Sequence, residues 1–295
     1  MRGLSVFLLA LSCTYGQDTL KRAENLYHRT DYRASIAALQ GTSLDAGAYN
    51  LMGRDYFMLG EYKKATDAFQ KATALEPKKS DHVHWLGRTF GRRAETSNPF
   101  SAPMYASKAR QCFEHAVALD PHNEEALNDL FDYYLQAPGF LGGGVEKAEE
   151  VAKRIAQHND AEGYFAQAQL ADKRKQFDAA EQQLRRAMEL APKQVGRVID
   201  LAKYLAKRGR YQESDAAFDR AEKLAPDAPR VKFARAHTYI QEKRNLDKAK
   251  TLLIQYLHSN LTPDDPPREQ AERLLKSIGD SALNNQLPGS PSGSS

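Results

Sequence analysis

From Ala46 onward, apolar and small residues fall at three- and four-residue spacing rather than in alternation: Tyr49, Met52, Gly53 and Tyr56 form one stripe, and Ala65, Phe69 and Ala72 a second. That period predicts two amphipathic helices with charged outer faces. Small Gly53 and Ala65 let the two backbones approach closely, and Pro77 ends the second helix because it has no amide to continue the hydrogen-bond ladder.

The pattern recurs in phase. From Ala161 the same offsets return Tyr164, Ala168, Phe177, Ala180, Leu184, Ala187 and Pro192, and from Val195 they return Val198, Leu201, Ala202, Tyr211, Phe218, Ala221 and Pro226. From Ser80 they return Leu86, Gly87 and Phe90, then Ala109, Phe113, Ala116 and Pro121 after an insertion of about ten residues, which is expected to loop out around Ser97-Asn98-Pro99-Phe100. A unit from Glu124 holds Leu127, Leu130 and Tyr134, passes through the glycine-rich run Ala137 to Gly144, and resumes at Ala148, Ala152 and Ile155. That run reads as a flexible elbow. Weaker units carry Ala23, Leu26, Tyr32 and Leu39 at the front and Phe233, Ala236, Tyr239, Leu246, Ala249 and Leu253 at the back.

Aromatic, Leu-Gly, Tyr, Ala, Phe, Ala and Pro at these offsets over 34 residues resemble the tetratricopeptide repeat. The Ala137–Gly144 loop also looks like an element of a subset of exported bacterial members of that family. The resemblance implies an all-α, right-handed superhelical solenoid of about seven helix-turn-helix repeats plus a C-terminal capping helix. The expected repeats lie near 17–45, 46–79, 80–123, 124–160, 161–194, 195–228 and 229–262. The capping helix is expected over 263–279, with Pro266 and Pro267 at its start, Ala271, Leu274, Leu275 and Ile278 on one face, and glycine at its end. Residues 280–295, rich in Ser, Gly and Pro, read as a disordered tail.

The first residues change the picture of where the chain works. Met1-Arg2-Gly3 gives a positive start, Leu4 to Leu11 a short apolar core, and Thr14-Tyr15-Gly16 small residues where a signal peptidase reads, so residues 1–16 are expected to be removed before Gln17. The apolar run is far shorter than the roughly 20 residues of a membrane span. Lipidation at Cys13 is the weaker alternative, because Ala10-Leu11-Ser12 lacks a leucine three residues before the cysteine. The mature chain is thus expected in the periplasm or outside the cell, with Cys112 as its one cysteine and no internal disulfide.

Charge excludes one class of partner. The 42 Lys and Arg against 38 Asp and Glu leave a net charge of +4, spread without the basic stripe that phosphate neutralisation requires, so no nucleic acid is expected.

Three sharper chemistries fit the residues poorly. His82 and His84, two apart on one helix, point to different faces and do not readily share a metal. Gly142-Gly143-Gly144 ahead of Lys147 lacks the spacing and preceding strand of a phosphate cradle. Cys112 and His115 stand one turn apart, the reach of a thiolate and base, yet Cys112 adjoins the buried position Phe113. Neither a serine nucleophile elbow nor a zinc-protease helix is present, and the expectation is a protein that is no enzyme and carries no cofactor or metal.

Function is then expected where the resemblance places ligands, on the groove-facing positions of each first helix. These are Asn50, Arg54, Asp81, His84, Arg88, Arg92, Asn128 and Asp132, a polar set tending to positive. Asn50, Arg54, Arg88 and Asn128 loosely resemble the residues that clamp a peptide carboxylate in related members; alternatively, the arginines pair with neighbouring acids. Further on, Phe165, Ile199 and Phe233 beside Lys203 and His237 are either an apolar stretch of groove or packing between units. The leading expectation is an adaptor for a protein or peptide, with acidic character one option. A structural subunit of a cell-envelope assembly and a binder of anionic polysaccharide or another polyanion are the alternatives.

Overall fold

A computed structural model describes residues 18–40 and 44–284, the last five as backbone. The expected signal segment, Cys13 and the tail beyond 284 lie outside the described residues. The chain divides into two compact units, the first ending at Ala191 and the second starting at Pro192.

The first unit contains helices α1 (residues 18–28), α2 (Tyr32–Leu39), α3 (Ala46–Met58), α4 (Tyr62–Leu75), α5 (Ser80–Thr96), α6 (Ala102–Leu119), α7 (Glu124–Gln136), α8 (Val145–His158), α9 (Asp160–Lys173) and α10 (Phe177–Leu190). Short connections pair α3 with α4, α5 with α6, α7 with α8 and α9 with α10. Ala65, Phe69, Ala109, Phe113, Ala116, Leu127, Ala148 and Ala152 are buried in one core running through these pairs. The close approach expected at glycine is real: a Cβ on Gly53 would stand 2.7 Å from the Phe69 ring, and one on Gly87 2.8 Å from the Phe113 ring.

Two local devices start and stop the helices. Side chains of Asp45, Asn123 and Asn159 accept from the amides of Ala48, Ala126 and Glu162, satisfying a donor that a helix start leaves orphaned. At the other end, Thr30, Gly60 and Lys175 take positive φ and close the first helix of a pair. The Gly60 amide donates to the Phe57 carbonyl and the Glu61 amide to that of Tyr56, and Lys175 and Gln176 repeat the arrangement with Asp172 and Ala171.

The structure departs from the sequence reading at the insertion. Ser97 to Phe100 do form the turn between the paired helices, with Phe100 exposed, but most of the insertion does not loop out: α5 has 17 residues and α6 has 18, against 13 and 14 in α3 and α4, so each helix gains about one turn. Phe90 and Tyr105 stack across the extended hairpin at 6.3 Å, and Arg93 lies over Tyr105, so the added turns are packed rather than left in solvent.

The glycine-rich elbow is likewise closed rather than loose. A 3₁₀ turn at Gly139–Leu141 leads into Gly142 at φ +87, and the amides of Gly142, Gly143 and Gly144 donate to the carbonyls of Gly139, Pro138 and Tyr134. The Tyr133 hydroxyl and the Lys147 ammonium donate to the carbonyls of Leu141 and Gly142. A Cβ on Gly143 would sit 1.9 Å from the Ala137 carbonyl oxygen, so the turn has no room for a side chain there.

The second unit holds α11 (Val195–Lys207), α12 (Tyr211–Leu224), α13 (Pro229–Gln241), α14 (Leu246–Leu257) and α15 (Arg268–Asn284). Gly209 and Lys243 close α11 and α13 with the same positive-φ turn. Ala271 of α15 packs into a core with Phe233, Tyr239, Leu253 and Tyr256. The terminal helix starts later and ends later than expected. Pro266 disfavours helical backbone at Asp265, whose carboxylate instead accepts from the Thr262 amide and hydroxyl, and the helix begins after Pro267. It then runs through Gly279 to Asn284, a glycine in a helix costing only about 1 kcal/mol, so residues 280–284 are not part of a tail.

Candidate functional site

In the first unit α3 packs on α5, α5 on α7 and α7 on α9, so the first helices of successive pairs form one continuous face. The expected polar groove residues all lie on α3, α5 and α7. Arg54 and Arg88, 34 positions apart, occupy the same place in consecutive repeats. Their guanidinium carbons lie 4.7 and 4.4 Å from the ring centre of Trp85, the only tryptophan in the chain. Trp85 is itself fixed from below, edge-on to Phe57 at 5.4 Å and stacked on Phe69 at 6.0 Å. Each guanidinium contact with a ring contributes about 0.5–1 kcal/mol at a partly exposed site.

Acidic neighbours occupy both arginines. Arg54 Nη2 donates to both oxygens of Asp81, at 3.0 and 2.9 Å, and Asn50 Nδ2 adds a bond of 3.1 Å to the same carboxylate. Arg88 Nε is 3.6 Å from Asp129, which is also 2.7 Å from His84 Nε2. The reading in which the arginines pair with nearby acids is therefore the arrangement found, and it makes this face alternate in sign rather than positive. Ion pairs this exposed contribute about 0–1 kcal/mol each, so they orient the guanidinium planes without locking them.

His84 is not a surface contact. It is 1% exposed, and its place is under the face, holding Asp129. Arg92 sits at the far end of the stripe, donating to the Tyr62 hydroxyl and paired with Glu95. Asn128 and Asp132 are half-buried on α7. Burial pushes the Asp132 carboxyl up to about 6, with the Asp129 charge adding to the rise.

The apolar set divides. Phe165 is half-buried on α9 of the first unit. In the second unit Ile199 and Phe233 are buried, so these two belong to packing and not to an open groove. Phe233 stacks with His237 at 6.0 Å, and burial followed by the nearby Lys203 ammonium lowers the His237 imidazole below its usual value. Lys203 is exposed on α11.

The other chemistries find no support in the geometry. Burial pushes the Cys112 thiol up to about 11, which leaves it protonated and weakly nucleophilic at neutral pH. The three glycine amides of the elbow are committed inside the loop and present no anion cradle. His82 faces Glu76 while His84 faces Asp129, and among the described residues no group of three or more His, Cys, Asp or Glu is placed to hold a metal ion.

The pattern could have revealed Asp81 as an arginine partner, but Trp85 and Asp129 were missed. Trp85 sits off the repeat's apolar offsets, and the lengthened α5–α6 hairpin hides the spacing between Arg88 and Asp129.

Fold and face together define a helical-repeat scaffold. Residues 46–79 and 161–194 each match a family model described as tetratricopeptide repeat. Among solved structures, the chain is similar to a tetratricopeptide repeat protein from Parabacteroides merdae ATCC 43184, with a TM-score of 0.59 at 14% identity over 89% of this chain and 98% of that one. It is also similar to a thermophilic TPR protein from Thermus thermophilus, with a TM-score of 0.51 at 21% identity over 68% and 98% of the two chains. At such identities the likeness is one of fold alone. No curated protein matches the sequence.

Proposed function

We propose that this chain is a non-catalytic adaptor that holds a protein or peptide segment on the α3–α5–α7 face. The observation that carries this reading is the pair of arginines set against Trp85, with Arg54 29% and Arg88 36% exposed. Arginine is a residue type in which binding energy concentrates, and here the buried Trp85 ring orients both guanidinium planes before a partner arrives. Because Asp81 and Asp129 offset the charge, a partner gains from stacking and bidentate hydrogen bonds more than from long-range attraction. Binding is therefore expected to weaken only mildly with added salt, unlike the steep loss a polyanion ligand would show.

Charge reversal at both arginines tests the assignment. The R54E/R88E variant should keep wild-type helix content by circular dichroism and lose the protein partner that the wild-type chain retains in affinity purification. Equal recovery of the same partner by both proteins would remove the face from the account.

A further inference from the structure

Two successive inter-repeat turns of the first unit bring histidines together. His122 lies in the turn between α6 and α7, and His158 is the last residue of α8, before the turn into α9. Their rings are 4.6 Å apart, centre to centre, at 65°. Both side chains are exposed, so the contact is not a by-product of core packing.

The backbones that carry them are fixed. The His122 amide donates to Asp120 Oδ1 at 2.9 Å, and the Asn123 amide returns to the Asp120 carbonyl. Beside His158, the Asn159 amide donates to the Ile155 carbonyl, and the Asn159 side chain caps α9 by accepting from the Glu162 amide. The two imidazoles are thus carried on separately braced backbones, which keeps their attachment points close before any ligand binds.

Their separation carries the argument. An imidazole nitrogen binds a transition metal at about 2.0 Å, which puts each ring centre about 3.2 Å from the ion. Two rings bound at a right angle then have centres about 4.5 Å apart, and at the tetrahedral angle about 5.2 Å. The observed edge-to-face separation of 4.6 Å is within what one shared ion requires, so rotation of the exposed side chains suffices to bring a nitrogen of each ring to it. Divalent copper and nickel stand high in the affinity order for nitrogen sites, and imidazole suits both.

We propose that His122 and His158 form a two-imidazole site for a divalent cation of the copper or nickel class, the remaining coordination positions being filled by water. The site does not depend on the partner face, which lies on other helices' exposed surfaces.

Copper(II) titration of the full chain tests it, followed by calorimetry and electron paramagnetic resonance. H122A, H158A, the H122A/H158A double variant and H115A as an exposed control are compared at equal helix content. The wild type should bind one copper ion more than the double variant, with two equatorial nitrogens. Each single variant should bind that ion about tenfold or more weakly, through one nitrogen, because it loses the effective concentration of the second imidazole. H115A should behave as wild type. A wild-type chain whose copper stoichiometry and spectrum equal those of the double variant would overturn the proposal, as would single variants with unchanged affinity.

Discussion

Asp55 is the residue whose environment departs furthest from its chemistry. It is fully buried on α3, neither carboxylate oxygen has a hydrogen-bond partner, and the nearby Ser35 hydroxyl is committed to the Ala23 carbonyl at 3.0 Å. Burial pushes its carboxyl from 3.8 up to about 8, a rise that Ser35 only tempers. The folded chain therefore holds a proton there that the unfolded chain releases above pH 4. This favours folding at low pH, and the advantage is lost as pH rises from about 4 to about 8. Asp55→Asn should flatten that slope, so its stability relative to wild type should improve by on the order of 5 kcal/mol between pH 4 and pH 8. Urea unfolding at the two pH values measures this, and a constant difference would show that Asp55 ionises without hindrance. Its burial is legible only by comparing repeats, since the same position holds Thr89, Leu170, Tyr204 and Thr238, all buried and none charged. The arginines of the face were legible for the opposite reason: Arg54 and Arg88 recur at the repeat distance on positions the apolar stripe leaves free.

At the level of the helix pair, one turn is built five times among the described residues, with glycine, lysine or threonine at its positive-φ position. Thr30, Gly60, Lys175, Gly209 and Lys243 all take positive φ, and the last three are 34 residues apart. Glycine adopts that conformation without strain, whereas a residue with a Cβ is strained there by about 1 kcal/mol. Lys175→Gly should accordingly stabilise the first unit by up to about 1 kcal/mol, and Gly209→Lys should destabilise the second by a similar amount. Chemical denaturation followed by circular dichroism reads both, and changes of the opposite sign would mean that these turns are not strained. The apolar stripes made the helices readable, since each buries its face every third and fourth residue. The insertion was not readable as helix extension, because whether added residues loop out or lengthen a hairpin depends on contacts such as Phe90 on Tyr105, which have no signature in the repeat pattern. The elbow misled in a similar way: glycines that read as freedom are instead required by a closed turn in which Gly143 abuts the Ala137 carbonyl.

For the whole molecule, the repeat period made the all-helical class legible, while the division at Ala191 and Pro192 was not, since the repeats run through it in phase. The charge balance of +4 fits a scaffold that recognises its partner through a few oriented side chains rather than through a strong field. We propose further that this scaffold is exported with residues 1–16 removed; intact-mass analysis of the secreted or periplasmic protein should then find its first residue to be Gln17. Retention of Met1, or a lipid on Cys13, would place the chain differently. The central claim is that the α3–α5–α7 face, and not the second helix of each pair, meets the partner. The most direct measurement is site-specific photocrosslinking in intact cells from Asn50 and Asn128 on that face, with Glu150, exposed on α8, as the comparison position. The account predicts one discrete crosslinked protein from Asn50 and Asn128 and none from Glu150; crosslinks from Glu150 alone, or equally from all three positions, would contradict it.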